Sequence, residues 1–338
     1  MKLPALLVSD THFVDEPACA YRWGLWPWLR QTIKEEKVKT VCHLGDLVDR
    51  KDNHPASLVN RLADEIRKTR AETAAEMVFM PGNHDWLKDG EEFFRWLRHL
   101  DGVHYPTAPW EHPDAKGPSA YFLPYSKDPV RAWAGLDFSH YDYLFMHQTV
   151  EGSVTSNGEK LPGEMLPALN AGKVYSGDIH VPQVVKTPAG AVEYVGSPYH
   201  VHFGDNFSPR CVLIEAGGRA INLKVPGMPK RVTVRAHSLA QLKSFYWQDG
   251  DQGKVRLMLP PEERADWARL RREAAVILRS RGVHVHGIEL VATGGDGKRI
   301  THARAARMSG MSPGEAIERY VRDEELGGDA LDVALDLV

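Results

Sequence analysis

Val38-Lys39-Thr40-Val41-Cys42-His43-Leu44-Gly45-Asp46-Leu47-Val48-Asp49 decides how this chain is read. Its first half is β-branched and apolar and reads as a buried strand. Its second half is a glycine followed by two carboxylates three residues apart. A strand that empties into polar residues of this kind is the pattern of layered α/β folds, where functional groups gather at the carboxyl ends of strands.

Four further segments repeat the pattern on either side. Asp10-Thr11-His12 follows an apolar run at 3–8, Gly82-Asn83-His84-Asp85 follows 77–80, His147 follows 143–146, and Gly177-Asp178-Ile179-His180 follows 174–176. Between the first three strands, Trp26, Leu29 and Ile33, and then Leu58, Leu62 and Ile66, recur at helical spacing. This β-α-β-α-β order implies a parallel inner sheet covered by helices. Beyond residue 120 short strands crowd together at 120–123, 143–146, 174–176, 192–195 and 211–215, which predicts a second, more antiparallel sheet. The expected fold class is α/β, a four-layer α/β/β/α sandwich over residues 1–226.

Pro226-Gly227-Met228-Pro229 breaks both periodicities and marks a boundary. Strand, helix, strand, helix and strand patterns at 231–235, 239–245, 255–259, 265–281 and 283–291 then predict a small α+β capping domain over 230–295. Within 265–281 five arginines face two acids, a net +3 that suits a solvated helix face or a phosphate-contacting ridge. Residues 300–338 read as a helical, partner-binding segment. A capping box starts at Ser312, Ile317, Tyr320 and Val321 share one face, and Leu331, Leu335 and Val338 form a second apolar stripe.

Composition sets outer limits. The 338 residues are 43% hydrophobic and 26% charged, ordinary for a globular protein, with a net charge of −3 that offers no global attraction to nucleic acid. Cys19, Cys42 and Cys211 have no paired spacing, which suits reduced thiols in a cytoplasmic compartment. No apolar run approaches the ~20 residues of a membrane span, and the first one is too short for a signal peptide.

The five polar segments carry the ligands of two divalent cations. Asp46 is the natural bridge, because its carboxylate has two oxygens and Gly45 lets the backbone turn behind it. Asp10, His12 and His180 suit a first ion, and Asn83, His147 and Asp178 a second. Nitrogen and oxygen ligation without thiolate points to two Mn²⁺, with Mg²⁺ or Fe as alternatives, more than to structural zinc. His84 is kept for proton donation to a leaving oxygen, with Asp49 expected to hold its other ring nitrogen. His43, His54, His99, His104, His112, His140, His237, His284, His286 and His302 are assigned local packing or bonding.

At these residues the chain resembles the calcineurin-like metallophosphoesterase superfamily, whose pattern is D-x-H, G-D-x-x-D, G-N-H-[DE], H and G-H-x-H. Within it, Gly177-Asp178-Ile179-His180-Val181-Pro182-Gln183, Tyr194-Val195-Gly196-Ser197-Pro198 and Phe203-Gly204-Asp205 are similar to SbcD-type nuclease subunits of DNA double-strand-break repair. The superfamily likeness spans about residues 3–216. That likeness bears on fold and site, while the narrower SbcD-type likeness implies a Mn²⁺-dependent DNA exonuclease, with endonuclease activity as an addition, acting on DNA by a two-metal displacement. It also implies an SbcC-type coiled-coil ATPase partner on the C-terminal helices, and a homodimer as a further expectation; no membrane is involved.

One departure is plain: Asp178 stands where the family has the first histidine of its fifth motif, which hardens the second site toward Mn²⁺ or Mg²⁺ if Asp178 ligates directly, and otherwise leaves it to orient a water or His180. Arg50, directly after Asp49, resembles the phosphate-holding arginine of the phosphatase branch and keeps a small-substrate phosphoesterase or protein phosphatase as the alternative. Tyr199, His200 and His202, after the Gly-Ser-Pro turn, are candidate substrate contacts. A non-catalytic DNA-end scaffold is the third reading, disfavoured because the first-site ligands, His84 and Asp49 are all present.

Overall fold

The computed structural model describes residues 1–259 and 266–292, apart from Asp52, 88–90, 164, 165 and 167. The helical segment expected at 300–338 lies outside these residues.

Two six-stranded sheets form the body. The first contains β1 (Ala5–Val8), β2 (Thr40–His43), β3 (Glu76–Phe79), β4 (Val103–His104), β11 (Cys211–Ile214) and β12 (Ala220–Leu223), in the order β12-β11-β1-β2-β3-β4. β1 to β4 run parallel, with Val8 opposite His43 and His43 opposite Phe79, so the three ligand-bearing loops leave at one level. The second contains β5 (Trp110–Glu111), β6 (Ala120–Leu123), β7 (Tyr143–His147), β8 (Lys173–Gly177), β9 (Gln183–Thr187) and β10 (Gly190–Tyr194), in the order β5-β6-β7-β8-β10-β9.

Here the structure corrects the expectation of a more antiparallel second sheet. β6, β7, β8 and β10 are all parallel, and only the outer pairs β5–β6 and β9–β10 are antiparallel. Short strands split by Gly and Pro suggested hairpins. The connections instead cross back over the sheet as irregular chain, with one helical turn, α3 (Pro129–Ala132), between β6 and β7. That irregular layer buries Trp133, Phe138, Tyr141, Val150 and Leu169 against Leu144, Met146 and Val174.

Strand alternation explains the layers. Leu6 and Val8 of β1 face the helices α1 (Leu25–Glu35) and α2 (Ala56–Thr73), joining Trp26, Leu29, Ile33, Leu58, Leu62 and Ile66. Ala5 and Leu7 face the other sheet, joining Phe122, Tyr143, Phe145 and Tyr175. Each such large apolar side chain, withdrawn from water, stabilises the sandwich by ~1.5–3 kcal/mol.

After β12 comes a three-stranded sheet, β13 (Arg231–Ala236), β14 (Gln252–Leu259) and β15 (His284–Ala292), with α4 (Leu239–Ser244) and α5 (Trp267–Arg279). Ser238 caps α4 by accepting from Gln241 N at 3.2 Å. Leu242, Val255, Leu257, Ala274 and Leu278 are buried. Arg231 donates to the Val201 carbonyl at 2.5 Å and Phe203 packs on His286 at 4.5 Å between ring centres, which docks this sheet beside the 197–205 loop. None of the helices among the described residues is long and apolar enough to cross a membrane.

Candidate metal centre

The site is built by five loops that leave the carboxyl ends of β1, β2, β3, β7 and β8. The backbone must turn at once to aim short side chains at a common point. Asp10, His12, Asp46 and Asp178 accordingly take positive φ angles of 53°, 43°, 57° and 83°. Non-glycine residues avoid that region, and such strain concentrates where the surrounding structure enforces it for function. Two glycines make room. A Cβ on Gly45 would lie 2.2 Å from His147 Nδ1, and one on Gly82 would lie 2.3 Å from Asp46 Oδ1.

Asp46 is at the centre. Its Oδ2 lies 3.5 Å from His12 Nε2, while its Oδ1 lies 3.4 Å from His147 Nε2. His12 Nε2 is 3.0 Å from His180 Nε2. His147 Nε2 is 3.3 Å from Asn83 Oδ1 and 3.7 Å from Asp178 Oδ1. Ligand atoms ~2.1 Å from one shared cation lie roughly 3 to 3.5 Å apart, so all of these separations but the 3.7 Å to Asp178 fit ligation on the two sides of Asp46. Asp10 joins both sides, grouping with His12 and His180 and also with Asp46 and His147.

The polar chemistry also asks for cations. Asp10 Oδ2 and His12 Nδ1 are buried without hydrogen-bond partners. Asn83 turns its amide oxygen toward acceptors only, the orientation a ligand needs. Burial pushes the Asp10 carboxyl up to about 7 and the Asp46 carboxyl well above the usual range, with Asp85 adding to the latter. Burial lowers His180 to about 3 and His12 well below the usual imidazole value, its neighbours His180 and His84 adding to this. Burial thus favours the protonated carboxyl at Asp10 and Asp46 and the neutral ring at His12 and His180. Divalent charge reverses the first condition and exploits the second.

His84 borders this cluster, and one of its ring nitrogens also groups with His12 and Asp46. Its backbone N–H donates to Asp46 Oδ1 at 2.9 Å, and its ring Nδ1 faces the carbonyl oxygen of Asp49 at 2.5 Å. The Asp49 carboxylate was expected to hold that nitrogen. Instead it lies 3.5 Å from His12 Nδ1, because the turn after Val48 presents the main chain to His84.

The other candidate residues divide between the interior, the rim of the site and the outer surface. Tyr199 is 0% exposed and donates its hydroxyl to the Thr11 carbonyl, so it fills the core rather than meeting a substrate. His200 is buried, its Nε2 bonded to the Phe207 carbonyl at 3.0 Å. His202 stacks on His180 at 5.0 Å beside a 290 Å³ cleft shared with Asp178 and Asn157. Arg50 reaches outward to Glu16 at 3.0 Å. Asp178 accepts from the Thr149 hydroxyl through Oδ2 and presents Oδ1 toward His147.

Asp85 carries a task that the sequence reading left unassigned. Its buried carboxylate accepts from Leu47 N at 3.0 Å, Val48 N at 3.4 Å and Gly82 N at 2.8 Å, clamping the loops of Asp46 and Asn83 together. Arg22, also buried, donates to the His12 carbonyl, and Ser197 donates to the Asp10 carbonyl at 3.0 Å. The G-N-H-D string contained Asp85, and only the fold shows what it grips.

Residues 3–182, which include all five loops, match the calcineurin-like phosphoesterase family. The chain belongs to that family. A calcineurin-like phosphoesterase hydrolyses phosphoester bonds at a dinuclear metal site, and the residues grouped around Asp46 are the candidates for it here. No curated protein sequence matches the chain. Among solved structures, it is similar to GAP50, the anchor in the inner membrane complex of Plasmodium, with 13% identity, 68% of this chain and 90% of the other covered, and a TM-score of 0.41. It is similar to the Pseudomonas putida nuclease MPE with 17% identity, 65% and 87% coverage and a TM-score of 0.30. It is also similar to the phosphopantetheinyl hydrolase of Mycobacterium tuberculosis, with 16% identity, 58% and 90% coverage and a TM-score of 0.30.

Proposed function

We propose that this calcineurin-like phosphoesterase is a Mn²⁺-dependent DNA nuclease, exonucleolytic with added endonuclease activity, of SbcD type. The observation that carries the reading of the site is the split of the Asp46 carboxylate between His12 on one side and His147 on the other. Two divalent cations, when bound, supply charge neutralisation and an activated water for in-line displacement at phosphorus. Asp10, His12 and His180 would hold one and Asn83, His147 and Asp178 the other, with the Asp46 carboxylate available to both.

The chain's own part in the reaction falls to His84. The Asp49 carbonyl accepts only, so Nδ1 carries a hydrogen and the ring is fixed with Nε2 turned toward the site, 4.0 Å from Asp46 Oδ2. In the doubly protonated imidazolium, Nδ1–H stays on the Asp49 carbonyl while the Nε2 proton passes to the leaving oxygen, which returns the ring to its neutral Nδ1–H form. His84 is 29% exposed beside buried ligands, which leaves a polymer backbone a way in at that position.

The Gly177–Gln183, Gly-Ser-Pro and Phe-Gly-Asp strings support DNA as the substrate class. Arg271, Arg272 and Arg279 of α5 are exposed and suit phosphate contacts, whereas Arg269 is paired within its own helix to Asp266 and Glu273, each at 2.8 Å. Arg50, held by Glu16, gives the phosphatase alternative no added support. An SbcC-type ATPase bound through residues 300–338 completes the proposal.

Purified protein with Mn²⁺ is offered end-labelled duplex DNA, single-stranded DNA and p-nitrophenyl phosphate. Duplex cleavage that outpaces the other two supports the nuclease. Turnover of p-nitrophenyl phosphate alone overturns it.

A further inference from the structure

Away from the loops of Asp46, a second set of metal-competent side chains meets where the edges of the two sheets come together. Glu76 opens β3, His104 closes β4, and His112 directly follows β5 in the other sheet. One ligand atom from each lies within 4.8 Å of the others. His104 Nε2 is 2.6 Å from Glu76 Oε1, and His112 Nε2 is 3.5 Å from Glu76 Oε2. The His112 side chain is 1% exposed, and both its Nε2 and Glu76 Oε2 lack a hydrogen-bond partner.

Leaving two buried polar atoms facing each other without a bond costs stability. The 3.5 Å between them is too long for a hydrogen bond, yet it is close to the ~3.4 Å that separates two ligands on one tetrahedral ion. Trp110 packs against both rings, at 5.2 Å from His104 and 5.4 Å from His112, and shields the cluster on one side. A 390 Å³ surface cleft lined by His104, Tyr105 and Trp110 gives solvent access on the other.

We propose that Glu76, His104 and His112 form a mononuclear site for a divalent cation, zinc being the best-matched ion, which clasps the edge of the first sheet to the edge of the second. Two imidazoles and a carboxylate supply three ligands and water the fourth. The cation replaces the hydrogen that joins His104 to Glu76. On each ring the proton resides on Nδ1, so the Asp114 N–H, which donates to His112 Nδ1 at 3.2 Å, gives way. The inference does not depend on the reaction at Asp46.

The test is equilibrium dialysis of the full chain against Zn²⁺, with bound metal counted by mass spectrometry, for the wild type and for His104→Ala, Glu76→Gln and His112→Ala. Each protein is also prepared with Asp46→Asn, which weakens the other site. Each substitution is expected to remove one zinc per chain in both backgrounds and, where Asp46 is intact, to leave phosphoester hydrolysis unchanged. Zinc is expected to raise the melting temperature of the Asp46→Asn protein and not that of Asp46→Asn with His104→Ala. A zinc count unchanged by His104→Ala overturns the proposal. Should that variant not fold, the count in Glu76→Gln decides in the same way.

Discussion

His84 and Asp49 are joined through the main chain: the imidazole Nδ1 lies 2.5 Å from the Asp49 carbonyl oxygen, while the Asp49 carboxylate turns to His12. The two substitutions therefore separate. His84→Ala is expected to lower kcat by ~10²–10⁴ with metal content unchanged, because it removes the proton donor alone. Asp49→Asn keeps the carbonyl and is expected to cost less than about 10-fold in kcat, its effect appearing in metal affinity through His12. Steady-state kinetics with metal analysis on both proteins checks this. Equal losses of kcat would contradict the main-chain anchor.

Asp85 offers a stability test. Replacing it by Ala strips three buried N–H groups, of Leu47, Val48 and Gly82, of their acceptor. The expected loss is ~3–5 kcal/mol, since each orphaned donor costs about 1–3 kcal/mol and partial relaxation recovers some of it. Asp85→Asn keeps one acceptor oxygen and is expected to lose less. Urea unfolding of the metal-free proteins measures both.

Asp178 distinguishes this chain from the family pattern, and its Oδ1 lies 3.7 Å from His147 Nε2. Asp178→Asn removes charge from the second site and keeps one acceptor oxygen for the Thr149 hydroxyl. Mn²⁺ affinity at that site is expected to fall ~10–100-fold. Asp178→His restores the family residue and is expected to shift preference from Mn²⁺ toward Zn²⁺. Competition titrations with the two metals read the shift.

Proton linkage at Asp10 has a definite sign. In the metal-free protein its carboxyl is pushed up to about 7 by burial, so at pH 6 cation uptake must release that proton. Apparent metal affinity is therefore expected to rise with pH up to about 7. Calorimetric titration at pH 6 in two buffers of different ionisation enthalpy measures the released proton. Identical heats in both buffers would contradict it.

The buried His43 works in the acid range. Its pKa falls to about 3 on folding through burial, from 6.5 in the unfolded chain. Between those values the unfolded state binds the extra proton, so the contribution of His43 is complete above 6.5 and is lost as pH falls toward 3. The slope from this one group is at most ~1.4 kcal/mol per pH unit. His43→Gln, which can still meet the Thr11 hydroxyl now 2.9 Å from the ring, is expected to flatten that limb in chelator.

The convergence of Asp10, His12, Asp46, Asn83, His147, Asp178 and His180 was legible because each lies just past a buried apolar strand, and a polar break at such a point has few structural uses. The helix faces of Leu29 and Leu62 were legible from their period. Strand direction in the second sheet was not, because the chain between β6 and β7 and between β7 and β8 crosses over without helical periodicity to announce it. Tyr199, a candidate substrate contact by its place after the Gly-Ser-Pro turn, is buried because that turn folds inward onto Thr11. Glu76, His104 and His112 are far apart in the chain and share no motif. Only the meeting of two sheet edges unites them.

The central claim is that Asp46 joins two cations through its separate oxygens. Anomalous diffraction at the manganese edge, from a crystal of the protein grown with Mn²⁺, tests it most directly. Two peaks ~4 Å apart are expected on either side of the Asp46 carboxylate, one toward His12 and His180 and one toward His147 and Asn83. A single peak there, or none with the five loops in place, would contradict it.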